Sequence, residues 1–406
     1  MNKFKDYDET IEDLIASVKG VETLVENVFL ADTLERVLAE DIVAKESSPL
    51  HVTSSMDGYA IRFEDQEKGV LKLEDRVPAG TDISTVVRKG TCVKTFTGSL
   101  MSEGSDTLIP IENVEVNGDE VKIITPVAFG SFIRPIGESY KEGEVLIKKG
   151  SKIGFAEIGV MGELSFVQVP VYCAPKVAVI ATGSEILDLG EPKTSPAQIR
   201  SSNHVTLEAI AKSYGAKVNR IGVVHDDKEL IKTKIVESLK HNDIVVTTGG
   251  VSVGDYDFVK DIIQGMDPEY VVNRAYVKPG RHIRVVKIDS KYIVALPGFP
   301  YSAAVMCFVY ILPLIKAMQG QNPEARYIDA IIEEEYKKRS PYTEFTACNL
   351  LIKDGKFYVN LEGKKRGSSA ILNNMLDGSA LLRVERDTKV IKKGEKVRVL
   401  PMGRLL

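Results

Sequence analysis

Between Pro170 and Gly320 short β-branched runs alternate with amphipathic stretches, and that alternation restricts the fold more than any other feature of the chain. Lys176–Ala181 (KVAVIA) reads as a buried strand. A helix follows around 204–214, with Ser202 or Asn203 as its cap and Gly215 as its stop. Val218–Val224 is a second strand, and Asp227–Lys240 a second helix with Leu230, Ile231, Ile235 and Leu239 on one face. Strands at Asp243–Thr248, His282–Ile288 and Tyr292–Leu296 precede a long apolar helix at Tyr301–Met318. Strands separated by helices in this way build a mostly parallel sheet covered on both faces.

With 406 residues the chain exceeds one ordinary core, so further domains flank this unit. Residues 8–20 place Ile11, Leu14, Ile15 and Val18 at helical spacing before Gly20. From about 66 to 170, β-branched runs broken by turns such as Asn117-Gly118-Asp119 and Glu142-Gly143-Glu144 predict one or two β-rich modules. Asn322-Pro323 reads as a linker. A hairpin signal at Asp354-Gly355 and strands at Leu381–Val384 and Lys396–Leu400 predict a C-terminal β domain.

Fifty-three basic and 57 acidic residues leave a net charge of -4, so no global field attracts nucleic acid or an anionic membrane. We find neither a signal-peptide core nor an uninterrupted apolar run long enough for a bilayer, and expect a cytoplasmic protein. Cys92, Cys173, Cys307 and Cys348 are scattered, which fits reduced thiols better than zinc ligands or a disulfide framework, and His51, His204 and His225 show no metal-binding spacing. Any metal is then expected on oxygen ligands.

Ligands of open α/β sheets bind beyond the carboxyl ends of the strands, where loops diverge and helix N-termini offer free N–H groups. The segments there are Thr182–Glu185, His225–Asp227, Thr248–Asp257 and Pro297–Pro300. Gly249, Gly250, Ser252 and Gly254 make a loop whose backbone can approach an anion; it also reads as a tight strand-to-helix turn. Lys278-Pro279-Gly280-Arg281, followed by Arg284, adds cations suited to phosphate or another oxyanion. Asp226, Asp227 and Asp257 are candidate helix caps as well as ligands, and Glu185 is a candidate loop acid. Together Glu185, Asp226 and Asp257 suit an all-oxygen magnesium site bridging protein and substrate phosphates. Asp57, in Met56–Ala60, and Thr97 read on their own as parts of ordinary turns.

These segments also resemble the MoeA/gephyrin family of molybdopterin molybdenumtransferases. The resemblance rests on MDGYA at 56–60, Thr97-Gly98, ATGSE at 181–185, Gln198-Ile199 with Asn203, Asp226-Asp227, TGGVSVG at 248–254 with Asp257, Lys278-Pro279-Gly280, Leu296-Pro297-Gly298 with Pro300, and Gly367-Ser368, in family order. It implies a multidomain protein of four parts: an elongated N-terminal domain (1–45 and 141–170), a β-rich domain carrying MDGYA (46–140), a central parallel-sheet α/β molybdopterin-binding domain (171–320) and a C-terminal β-barrel domain (321–406). It implies a homodimer that consumes molybdate and adenylylated molybdopterin, releases AMP and uses a divalent metal, taken here as Mg2+; a molybdopterin adenylyltransferase is then a candidate partner.

By the same resemblance Asp57, Thr97, Glu185, Asp257 and Lys278 are the catalytic candidates, and Glu185, Asp226 and Asp257 the metal candidates. Gly249, Gly250, Ser252, Gly254, Arg274, Pro279, Gly280, Arg281, Pro297, Gly298 and Ser368 are the substrate-binding candidates, with Asp57 and Ser368 at the molybdate pocket. Departures are Phe299 where the family usually has Asn, Arg274 and Arg281 where Lys is frequent, Ser139 where Asp is common after Gly137-Glu138, and RSSNH at 200–204 where DTNR is usual. Two other functions compete: molybdopterin adenylyltransferase, which needs only the 170–320 domain, and a scaffold whose C-terminal domain binds partner peptides. Molybdate and tungstate are not separated by the sequence.

Overall fold

The computed structural model describes residues 4–21, 23–82, 85–250, 258–377 and 379–403. Its contacts gather into two units, one formed by 1–39, 150–158 and 168–406, the other by 40–149 and 159–167.

The larger unit contains the expected α/β layer. We label its elements α1 (Tyr7–Val18), β1 (Lys176–Thr182), α2 (Asn203–Ser213), β2 (Lys217–Val224), α3 (Lys228–His241), β3 (Ile244–Thr248), α4 (Phe258–Gln264), β4 (Glu269–Asn273), β5 (Ala275–Lys278), β6 (Arg284–Ile288), β7 (Lys291–Leu296) and α5 (Pro300–Met318). The sheet order is β2-β1-β3-β7-β6-β4. The first four strands are parallel, and β6 and β4 add an antiparallel edge. Alternate residues of each strand serve opposite faces. Val177, Val179, Val246 and Val294 pack with Leu207 of α2 and the interior of α5, while Ala178, Ile180, Val245 and Ile293 pack with Ile231 and Ile235 of α3. Each of these valine, leucine and isoleucine side chains, fully buried, contributes about 1.5–3 kcal/mol.

Three expectations need correction. Leu230, assigned to the buried face of α3, is 42% exposed, because the apolar stripe runs through Ile231 and Ile235 instead. α5 is long and apolar enough to cross a bilayer, contrary to the absence of such a run in the sequence reading, but 83% of its apolar window is buried within the fold, as in a core helix. Its middle, Cys307–Ile311, is a π-helical turn. Arg284, grouped by sequence with the cations Lys278 and Arg281, is only 3% exposed, on a strand whose first three residues are all buried.

The C-terminal strands are β8 (Ile328–Ile332), β9 (Thr343–Lys353), β10 (Lys356–Asn360), β11 (Ser379–Val384) and β12 (Lys396–Pro401). They pair in the order β9-β10-β8-β12-β11, and β11 returns to β9, closing a barrel-like sheet. The predicted hairpin at Asp354-Gly355 is present, with both residues at positive φ, the backbone of a tight two-residue turn. β5 does not join the α/β sheet at all. It pairs with β9, Val277 opposite Thr343 and Lys278 opposite Glu344, while the strand Lys5–Asp6 pairs with its other edge.

The second unit holds a six-stranded sheet around Tyr59, Ile61, Leu71, Cys92, Ile109 and Val121. Its strand Gly58–Ile61 lies between Thr91–Thr95 and Thr107–Pro110. A side chain at Gly58 would put Cβ 2.3 Å from the Ile109 carbonyl oxygen, so only glycine fits after Asp57. The expected helix near the N-terminus is α1 of the larger unit, which caps its N-terminus with Asp6 and Glu9 and packs against the α/β layer. All four cysteines are free thiols, three of them buried.

Candidate active site

A cleft of about 860 Å³ opens beyond the carboxyl ends of β1, β2, β3 and β7, within the usual size range of ligand sites, roughly 300–1,000 Å³. Gly183 and Glu185 follow β1, Asp226 follows β2, Gly249 and Gly250 follow β3, and Pro297, Gly298 and Phe299 follow β7; all line it. The strand ends therefore gather residues that the sequence separates by more than a hundred positions. Ser252, Gly254 and Asp257 fall outside the described residues.

The acids behave differently from one another. Asp227 caps α3, its side chain accepting the Leu230 N–H at 2.8 Å, and so takes the structural role. Asp226 instead turns toward β1, where its Oδ2 accepts the Ser184 N–H at 2.9 Å. Glu185 is exposed at the same cleft. Among the described residues no cluster of three or more His, Cys, Asp or Glu gathers around a metal position. Two carboxylates after adjacent parallel strands, with no thiol or imidazole between them, are a donor set that fits a hard cation sharing its remaining positions with phosphate and water.

The walls combine apolar and polar surface. Phe299, 60% exposed, and Ile199, 58% exposed, face the same space as Arg200 and Arg281. Exposed aromatic and aliphatic faces beside cations suit a flat heterocycle carrying phosphate. Arg281 donates from Nε to the His282 ring at 2.9 Å, which holds its guanidinium at the rim.

Beside the cleft lies a smaller recess of about 50 Å³, with Ser369 lining both. Lys278, Pro279 and Ser368 line it, and Arg339, Lys365 and Arg366 join them. Among the described residues the one acid there is Glu344, 4% exposed, which accepts the Tyr336 hydroxyl at 2.8 Å and lies 3.4 Å from Lys278 Nζ. Arg366 stacks over the Tyr336 ring at 4.3 Å and donates to the Lys337 carbonyl, so its guanidinium is held rather than free to sweep. The turn that follows β5 divides its residues between the two spaces: Lys278 and Pro279 face the recess, Gly280 and Arg281 the cleft.

Arg274 lines neither space. It has φ of 69°, its guanidinium lies 5.6 Å from the Phe4 ring, and its Nε is buried without an acceptor. In the second unit Asp57 Oδ1 accepts both the backbone N–H and the hydroxyl of Thr97, each at 2.8 Å, so the two motifs meet. These hydrogen bonds hold the Asp57 carboxyl below the usual range, the backbone one most strongly. Sequence reasoning missed Arg339, Lys365, Arg366, Tyr336 and Glu344. The run Lys364-Lys365-Arg366 before Gly367-Ser368 was a visible signal for part of that group.

Comparisons with known proteins converge. Residues 5–164 match the family model described as "MoeA N-terminal region (domain I and II)", 178–317 that of a "Probable molybdopterin binding domain", and 329–402 "MoeA C-terminal region (domain IV)". The chain is 33% identical to a molybdopterin molybdenumtransferase of Staphylococcus aureus (strain COL), over 78% of this chain and 77% of that protein. It is 29% identical to one of Staphylococcus epidermidis, over 92% and 90%. The crystal structure of a molybdopterin biosynthesis moeA protein from Pyrococcus horikoshii OT3 superimposes with a TM-score of 0.82 at 26% identity, covering 98% of this chain and all of that one.

Proposed function

The chain belongs to the MoeA-type molybdopterin molybdenumtransferases, transferases of molybdenum cofactor biosynthesis, and on that premise we propose that it inserts molybdate into adenylylated molybdopterin and releases AMP. The observation that carries this reading is the Lys278–Arg281 turn, with one half in a cationic recess and the other in a larger cleft. A small oxyanion and a pterin nucleotide can thus be held side by side, which is what a transfer between them requires.

In this reading Lys278, Arg339, Arg366 and Ser368 bind the oxyanion, with the Glu344 carboxylate competing for the Lys278 ammonium. The cleft takes the pterin and its phosphates: Gly249 and Gly250 offer backbone N–H groups, Pro297, Gly298 and Phe299 the wall, and Arg281 a cation at the rim. Glu185 and Asp226 would hold Mg2+, with Asp257 as a third proposed ligand; when bound, the cation neutralises phosphate charge as the AMP leaves. Asp57, held ionised by Thr97, is kept as a catalytic candidate, Arg274 as a substrate-binding one. The proposed assembly is a homodimer working in the cytoplasm, and the four-part domain division given above is retained with it.

The test is AMP release from adenylylated molybdopterin with and without molybdate. Molybdate-dependent AMP release that is abolished in Lys278→Ala supports the assignment. Consumption of ATP with molybdopterin by the intact chain would point to adenylyl transfer instead.

A further inference from the structure

The segment Ser201–Asn203, entering α2, lines the cleft, and two of its side chains have their hydrogen-bonding polarity set from behind. Ser201 Oγ lies 2.7 Å from Nδ1 of His204, a ring with no solvent exposure. On the other side of the ring, Nε2 lies 3.1 Å from Asp188 Oδ1, off the ideal hydrogen-bond direction. Burial alone would raise the Asp188 carboxyl, but the N–H groups of Leu189 and Val223 and the nearby ring outweigh it and the net shift is downward. Asp188 is therefore a carboxylate at neutral pH.

A neutral imidazole facing a carboxylate carries its proton on that side. Nε2 is then protonated and Nδ1 bare, so the Ser201 hydroxyl must donate to Nδ1. Its remaining lone pairs are left for the cleft, and Ser201 acts there as an acceptor. Burial keeps the ring neutral, lowering its pKa against the opposing pull of Asp188; Arg220 and Glu208 are the other charges facing it. Two residues on, Asn203 Nδ2 donates to the Gly298 carbonyl at 2.7 Å, which fixes the amide orientation. Its Oδ1 is consequently a second acceptor, buried and without a donor among the described residues, on a side chain 9% exposed. A buried acceptor left unpaired in a native fold calls for a partner.

We infer that Ser201 and Asn203 form a pair of fixed acceptors that reads a ligand edge carrying two adjacent N–H donors, the 2-amino-4-oxopyrimidine edge of a pterin. That edge presents a ring N–H beside an exocyclic amine. Adenine presents an amine beside a ring acceptor, so the same pair disfavours the nucleotide end and orients the ligand in the cleft. The inference rests on the cleft being the pterin site, and it makes His204 and Asp188 positioning residues. Guanine shares the donor pair, so the test must separate the two ring systems.

Neopterin, its lumazine analogue (2-amino replaced by oxo), GMP and AMP are titrated against the full-length protein. The wild type should bind neopterin about tenfold tighter than the lumazine analogue, the worth of one well-made hydrogen bond plus an avoided acceptor clash. Ser201→Ala should bring that ratio toward one, Ser201→Thr should keep it, and His204→Gln should lower it although Ser201 is intact. Nitrogen-15 NMR of the histidine rings should show His204 protonated at Nε2. A proton on Nδ1, or a Ser201→Ala variant that keeps both the ratio and the neopterin affinity of the wild type, overturns the acceptor pair alone. GMP binding tighter than neopterin overturns the pterin assignment, and a wild type that binds AMP but neither neopterin nor GMP overturns the reading of the cleft as well.

Discussion

Replacing Lys278 with alanine separates a ligand-binding lysine from a structural one, because the structure gives each role a different magnitude. The side chain ends β5, is 37% exposed, and lies 3.4 Å from the buried Glu344 carboxylate. As part of a half-exposed ion pair it contributes little to folding, roughly 0–1 kcal/mol after solvent screening. Glu344 also keeps its hydrogen bond from Tyr336 when the lysine is gone, which bounds the loss. At about 1 kcal/mol the melting temperature of a domain this size falls by roughly 2–4 °C. As an oxyanion contact the same ammonium supplies a charge-assisted hydrogen bond of about 1.5–3 kcal/mol, a factor of roughly 10 to 150 in Kd. Calorimetric titration with molybdate, beside a thermal melt, reads both numbers on one sample. Lys278→Arg should retain part of the affinity, and Glu344→Gln, which removes the acid competing for the ammonium, should leave it equal or higher. Unchanged molybdate affinity in Lys278→Ala, together with a lowered melting temperature, would refute the argument and make the lysine a structural partner of Glu344.

Stripping divalent ions with a chelator should stop AMP release and added magnesium restore it; recovery by zinc alone would contradict an oxygen-only site at Glu185 and Asp226. Gly280→Ala places Cβ 2.3 Å from the Met306 sulfur at a φ of 98°, so it should destabilise the fold by about 1–3 kcal/mol, measured by denaturant titration; a neutral result would mean that Met306 swings aside freely. Asp57→Asn keeps an oxygen for Thr97 but loses the charge, and should lower AMP release at least about tenfold with the melting temperature within a few degrees; full activity would remove Asp57 from the catalytic set. His204 has its folded pKa lowered by burial, so the unfolded chain takes up the proton first. Its stabilising contribution is full above the unfolded value near 6.5 and is lost as pH falls below that toward the folded pKa. A melting-temperature profile that is as steep over this window in His204→Gln as in wild type would contradict that assignment.

The α/β layer was legible because its determinants are local. Strand runs such as Lys176–Ala181 carry their burial in their composition, and helix ends such as Asp227 and Gly215 carry their caps in single residues. The errors came where two periodicities compete. Leu230 and Ile231 are both apolar neighbours at the start of α3, and only the packing of Ile235 against the sheet decides which one turns inward. Arg284 looked like an anion ligand because it follows Lys278 and Arg281 in sequence. Its place at the start of β6, opposite Ala295, leaves it buried.

The two halves of the site differ in the same way. The cleft could be located in advance because every parallel strand delivers its next residues to one edge, whatever the details of packing. The recess could not, since it assembles four distant segments, at 278–279, 301, 336–347 and 364–374. What joins them is the pairing of β5 with β9, in which Lys278 stands opposite Glu344. Nothing local announces that a four-residue strand will leave the sheet it is flanked by and pair with a strand more than sixty residues on. This departure is also what puts the two spaces together: Lys278 is carried by the barrel-like sheet while Gly280 and Arg281 turn back to the cleft. The register of β5 on β9 therefore sets the position of the ammonium relative to Glu344 and Ser368 without altering the strand ends that form the cleft. Changes at Val277 or Thr343 that shift this register should weaken oxyanion binding and spare nucleotide binding, which makes the two affinities separable within one fold.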